Sequence, residues 1–140
     1  VLNTDNMNIS GESFDYGPWR FLPSWEPGFT AAYFDHAGLY AFGRQSEAIG
    51  WNCAQLAQAL TLLVDGAEPL VFALNRFGDL YSANLGRRWC WRLGLQSRGP
   101  AADRTLVAAS ARHMREAGLV PDAFFWKHRV GQPSSDTLKE

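Results

Sequence analysis

Val1-Leu-Asn-Thr-Asp5-Asn6-Met7-Asn8-Ile9-Ser10-Gly11-Glu12-Ser13-Phe14-Asp15-Tyr16-Gly17 opens the chain, and its reading decides how the rest is understood. Met7-Asn8-Ile9-Ser10 alternates apolar and polar, the period of a strand, and Gly11 reads as a turn. Two short strands joined there form a β-hairpin that brings Asn6 and Asp15, nine residues apart, to the same end. An amide oxygen and a carboxylate held together suit a hard divalent cation. Mg²⁺ takes oxygen ligands, keeps several waters and is typically completed by substrate phosphates. Asn and Asp also cap turns by accepting from nearby backbone N–H groups, so the residue types alone leave both readings open. Asp5 adds a carboxylate directly beside Asn6. In an extended strand adjacent side chains point to opposite faces, so Asp5 and Asn6 serve one site only where the backbone bends.

The chain has 140 residues, enough for one domain with a core, and its 46% hydrophobic and 19% charged residues describe a globular protein. A net charge of −1 gives the whole chain no electrostatic case for nucleic acid or an anionic membrane. No apolar run approaches the roughly 20 residues of a membrane span, and no signal-peptide pattern is present. Cys53 and Cys90 lie in helical segments at no metal-binding spacing. They read as two buried, reduced thiols of a cytosolic protein, with a disulfide as the alternative.

Behind the opening stretch, residues 18–45 carry Pro18, Pro23 and Pro27 among Trp19, Trp25, Tyr33 and Tyr40. Prolines this frequent forbid long regular elements, and an ordered loop pinned by aromatic rings is expected, with a short strand near Leu39–Phe42. From Ser46, a plausible N-cap, Ile49, Cys53, Leu56, Leu60 and Leu63 recur at helical spacing, and Asp65-Gly66 ends the run. A second helix is predicted from Pro69 to Gly86, with Leu70, Leu74, Phe77 and Tyr81 on one face, packed antiparallel to the first. Arg87-Arg-Trp89-Cys90-Trp91-Arg92-Leu93-Gly94-Leu95 reads as a short piece in which arginines snorkel over packed tryptophans, with nucleic-acid contact as the other reading. A third helix spans about 100–117 with Leu106, Val107, Ser110 and Met114 on one face, and a fourth runs from Pro121 to about Arg129. The tail at 132–140 is polar and expected to be loose. The fold class is mainly α with a small β-hairpin.

Several motifs occur in a fixed order. Asn3-Thr-Asp5-Asn6-Met7 is followed by Asp15-Tyr-Gly-Pro18, Phe21-Leu22, Pro27-Gly-Phe29, Asp35-His36-x-Gly38-x-Tyr40-x-Phe42-Gly43 and Gln45. Trp51-Asn52, Leu56-Ala-Gln-Ala-Leu60 and Leu93-Gly-Leu95 complete the series. Together they resemble the SelO (YdiU) family, protein-kinase-like proteins that act as protein adenylyltransferases. The resemblance implies that residues 1–131 are the C-terminal lobe of a protein-kinase-like fold. It implies Asn6 and Asp15 as ligands of Mg²⁺ (or Mn²⁺), Asp15 as a contact to the nucleotide through that metal, and Asp5 as the proton acceptor. In kinase-like enzymes a catalytic-loop Asn and a following Asp hold the metal against nucleotide phosphates in this way. The implied reaction moves AMP from ATP to Ser, Thr or Tyr hydroxyls of proteins and releases pyrophosphate. A kinase transferring the γ-phosphate and an inactive, pseudokinase-like binding module are the alternatives. The implied partners are ATP and hydroxyl-bearing protein substrates, with no nucleic acid and no membrane, in the cytoplasm of a bacterium or the mitochondrion of a eukaryote.

Where the family reads Phe/Tyr-Gly-Asn-Gln-Pro, this chain has Phe42-Gly43-Arg44-Gln45-Ser46. His36 reads as a structural residue, and His113 and His128 receive no role. A working kinase-like site also needs a Gly-rich loop and a Lys–Glu pair from an N-terminal lobe. Here the only lysines are Lys127 and Lys139, so the chain is expected to be a piece of a longer protein and to transfer little on its own.

Overall fold

The computed structural model describes residues 4–13 and 20–130. The chain divides into two compact units, 1–22 with 26–81 and 23–25 with 82–140. Five helices carry the described residues: α1 (Gln45–Leu60), α2 (Glu68–Asn75), α3 (Phe77–Arg92), α4 (Pro100–Glu116) and α5 (Pro121–His128). None is long and apolar enough to cross a membrane. The mainly α expectation holds; the predicted tail at 132–140 lies outside the described residues.

The β-hairpin does not form among the described residues. Met7 and Ser13 face each other across one isolated antiparallel bridge. Asn8 donates to the Glu12 carbonyl at 2.9 Å, Gly11 donates back to Asn8 at 2.9 Å, and Gly11 takes the left-handed φ of 84° that the turn requires. The turn at Gly11 was therefore legible, but the strands were not. Thr4–Asn6 winds into a 3-10 turn rather than a strand. Of the alternating apolar residues Met7 is half-buried, but Ile9 stays 80% exposed.

The loop that follows is held by backbone hydrogen bonds, and one of the expected pinning rings, Trp25, packs edge-on against Trp89. Phe42 donates to the Phe29 carbonyl and Gly43 to that of Pro27, both at 2.8 Å. Arg20 donates to Thr30 at 2.7 Å while its guanidinium lies 5.0 Å from the Phe29 ring centre. Phe21, Tyr33 and Phe34 remain exposed. The strand expected near Leu39–Phe42 is replaced by a 3-10 turn, Phe42–Arg44.

That turn feeds directly into α1, which places Arg44 rather than Ser46 at the N-cap, without a side-chain cap. Helix α1 stops at Leu60, so Leu63, predicted as part of its stripe, falls beyond the helix and is exposed. Pro69 does sit in the first turn of α2 as expected. The predicted single helix to Gly86 is instead broken at Arg76. Asn75 and Gly78 around the break are weak helix formers, and Phe77 turns its ring onto α1 beside Gly50, where a Cβ would lie 3.1 Å from it.

In the second unit Trp89, Leu93, Met114, Phe124 and Phe125 form the core, with Trp25, Leu106, Val107 and Leu119 packed against it. Trp89 meets Trp25 and Phe125 edge-on, at ring separations of 5.6 and 5.0 Å. The Arg87–Leu95 stretch is the end of α3 rather than a separate piece. Leu95 donates to Cys90 and Gly94, with φ 68°, donates to Trp91, which is the Schellman arrangement of a helix C-terminus. Helix α4 ends in the same way through Gly118 and Leu119.

Gly86 does not stop a helix; it is buried within α3 because α4 comes close. A Cβ there would lie 2.6 Å from the Cβ of Asp103. Gly86→Ala gains at most about 1 kcal/mol of helix propensity, and overpacking of this kind costs about 1–3 kcal/mol, so the substitution is expected to destabilise. Gly78→Ala, where a Cβ meets nothing within 4 Å, should stabilise. Urea midpoints of the two variants check the opposite signs.

Charge is divided between the units. The first holds nine acidic and three basic residues, net −6, and the second ten basic and five acidic, net +5. These sum to the whole-chain value of −1.

Candidate functional site

The 3-10 turn of Thr4–Asn6 answers the geometric question raised by the adjacent Asp5 and Asn6. Such a turn takes about three residues, so consecutive side chains diverge by about 120° rather than the 180° of a strand. Asp5 is exposed and Asn6 half-buried. The segment is tied to α1 where Asn52 Nδ2 approaches the Met7 thioether at 2.8 Å. In the sequence Asn52 stands out only as part of a motif; no spacing rule links it to a residue 45 positions away. A cleft of about 530 Å³ lies here, lined by Met7, Ile9, Glu12, Ile49, Asn52 and Leu56 among others.

Asp15 lies outside the described residues, as do Tyr16, Gly17 and Pro18. The last described residue before it, Ser13, faces Met7, which adjoins Asn6. No group of three or more His, Cys, Asp or Glu able to hold a metal gathers among the described residues. The amide oxygen of Asn6, like the carboxylate that the sequence supplies at Asp15, is donor chemistry for a hard cation rather than for zinc or copper.

Asp35 shapes the neighbouring loop. Its carboxylate accepts from the backbone N–H of Tyr40 at 2.7 Å and of Leu39 at 2.8 Å. The Tyr40 bond, with those from Leu39 and Gly38 and the charge of Arg44, holds its pKa below the usual carboxylate value against a smaller opposing effect of burial. Arg44, one of the two departures from the family pattern, pairs with Glu47 of α1 at 3.0 Å and reaches the Gly38 carbonyl at 3.4 Å. The arginine therefore links the loop to the first turn of the helix. His36 is exposed.

In the second unit the side chains that the sequence left without roles come together in two places. The His113 and His128 rings stand 6.4 Å apart, with Phe124 4.7 Å from His128. Asp103, 3% exposed, accepts from Ser97 Oγ at 2.5 Å, from Arg98 N at 3.1 Å and from the Cys90 thiol at 3.6 Å. The Ser97 bond leads the effects that lower the Asp103 pKa, while burial, then the Asp103 charge, raises that of Cys90. Both cysteines are free thiols, Cys90 buried and Cys53 only half-buried. Because the folded carboxylate titrates below its unfolded value near 3.8, its contribution is complete above that pH and is lost as pH falls through the folded pKa. Asp103→Asn should therefore lower stability at neutral pH and flatten the acid limb of a stability–pH profile below about pH 4, measured by urea unfolding.

A family model described as "Protein adenylyltransferase SelO" matches residues 1–137. The chain belongs to the SelO family. Curated SelO relatives carry the name "Protein nucleotidyltransferase YdiU". That of Trichodesmium erythraeum (strain IMS101) is 44% identical over 129 residues, 92% of this chain and 27% of the relative. That of Gloeobacter violaceus is 40% identical over 125 residues, 89% of this chain and 26% of the relative. That of Pseudomonas putida (strain W619) is 38% identical over 140 residues, 99% of this chain and 28% of the relative. The chain thus spans about a quarter of the length of these SelO relatives. No solved structure matches it.

Proposed function

We propose that this chain contributes the metal-holding part of a protein adenylyltransferase site in a C-terminal lobe of kinase-like fold. Asn6 and Asp15 would hold Mg²⁺ or Mn²⁺, which when bound neutralises charge on the ATP phosphates and fixes their position. Asp5 accepts the proton of a Ser, Thr or Tyr hydroxyl of a protein substrate. The hydroxyl oxygen bonds to the α-phosphorus, the bond from that phosphorus to the α–β bridging oxygen breaks, and pyrophosphate leaves with its electron pair. The observation that carries this reading is the 3-10 turn of Thr4–Asn6, whose curvature lets Asp5 and Asn6 address one site. Membership of the SelO family supports the reaction class. A reaction that consumes ATP suits the cytoplasm of a bacterium.

The test places residues 1–140 in the corresponding quarter of the Pseudomonas putida relative and supplies ATP labelled at either the α- or the γ-phosphate. Label entering acceptor protein from the α-position alone is the expected result. Transfer from the γ-position alone would identify a kinase. No transfer, with metal–ATP still bound, would identify a binding module.

A further inference from the structure

We propose that the face formed by the end of α3 and by α5 docks an acidic segment of a protein partner. Two tryptophans stand out from this surface, Trp91 at 64% exposed and Trp126 at 70%. Their neighbours Trp89 and Phe125 are buried in the core. The two indoles flank a recess of about 350 Å³, completed by Arg92, Asp122, Phe125 and Arg129. Arg92 is a fixed wall of it: its guanidinium lies 4.0 Å from the Phe125 ring centre and donates to Asp122 at 2.7 Å. Arg88 lies 5.4 Å from the Trp91 ring centre.

Exposed aromatic surface rimmed by charge marks interaction sites, and Trp and Arg dominate the residues that carry interface energy. The charge of the occupant follows from Arg88, Arg92 and Arg129 beside the recess against Asp122, within a unit of net +5 that is hidden by the −6 of the other. Its shape follows from the recess, a single pocket the size of one or two side chains rather than a track for successive bases. An apolar anchor in the recess with carboxylates against Arg88 and Arg129 meets both conditions. That the ligand is a protein rests on the adenylyltransferase reading, whose substrates are proteins. The binding itself needs neither nucleotide nor metal, so the two can fail separately.

The probe is a fluorescein-labelled peptide, Glu-Glu-Glu-Leu-Glu-Glu-Phe-Glu-Glu-Glu, followed by anisotropy at low salt. Binding that falls with added salt, and that weakens about tenfold or more in Trp91→Ala and Trp126→Ala, is expected. Arg129→Glu should weaken it as well. Circular dichroism checks that each variant remains folded, as substitutions of exposed side chains should allow. Equal affinity of wild type and both tryptophan variants would overturn the proposal. So would equal binding of a peptide with Lys in place of Glu, or displacement of the peptide by lower concentrations of a twelve-nucleotide oligothymidylate than of unlabelled peptide.

Discussion

Asp5→Asn is expected to slow AMP transfer by roughly 10²–10⁴-fold, the usual contribution of a general base, while leaving ATP affinity nearly unchanged. The amide keeps the shape of the carboxylate but cannot take the hydroxyl proton. The loss therefore belongs to the chemical step and should appear in kcat. Asn6→Ala should behave differently, because in its proposed role as a metal ligand its loss weakens the hold on the metal–nucleotide complex and raises KM. The two variants separate the roles of neighbouring residues in one 3-10 turn. Steady-state transfer from α-labelled ATP, in the chimera with the Pseudomonas putida relative, provides the measurement. An Asp5→Asn variant with wild-type kcat would remove the proton-acceptor role and leave the residue a part in shaping the turn.

Met114→Ala carries the largest expected cost to the fold. Its side chain is 0% exposed, at the centre of a core otherwise built from Trp89, Leu93, Phe124 and Phe125. Truncating a buried Met loses the transfer energy of the removed atoms and leaves a cavity, together about 2–5 kcal/mol. A domain of this size holds only about 5–15 kcal/mol in all. Large aromatic rings around the cavity cannot collapse into it without leaving their edge-on contacts, which places the effect toward the upper end. Chemical denaturation should show a lower midpoint with an unchanged slope. A change below about 1 kcal/mol would mean that the core repacks around the loss.

Helices α4 and α5 could be read directly because their signals are local. Pro100 and Pro121 open them and Gly118 closes α4, while Leu106, Val107, Ser110 and Met114 fall on one buried or half-buried face. Gly86 misled for a physical reason. A glycine serves either as a left-handed stop or as a gap for close packing, and only the position of α4 distinguishes the two. The true stop, Gly94, lay eight residues further on. The break at Arg76 was hidden because the apolar face of Leu70, Leu74, Phe77 and Tyr81 continues across it. Of the aromatic residues of the loop, Trp25 packs against Trp89 as expected, while backbone groups and the carboxylate of Asp35, which leave little periodic trace, also hold the loop. Of the candidate site, Asp5 and Asn6 were legible as an ordered motif, but the 3-10 turn that carries them was not, since alternation in the next four residues argued for a strand.

The division of charge between the units bears on how the protein is handled. A sequence isoelectric point near 6.3 suggests a molecule that passes through ion-exchange media at that pH. Surfaces of −6 and +5 on different parts of one chain suggest instead retention by both anion and cation exchangers at low ionic strength. Elution from either should come at salt concentrations where the screening length falls to about 10 Å or less. Concentrated stocks in dilute buffer should cloud as opposite surfaces of neighbouring molecules meet, and clear again on addition of about 0.1 M salt.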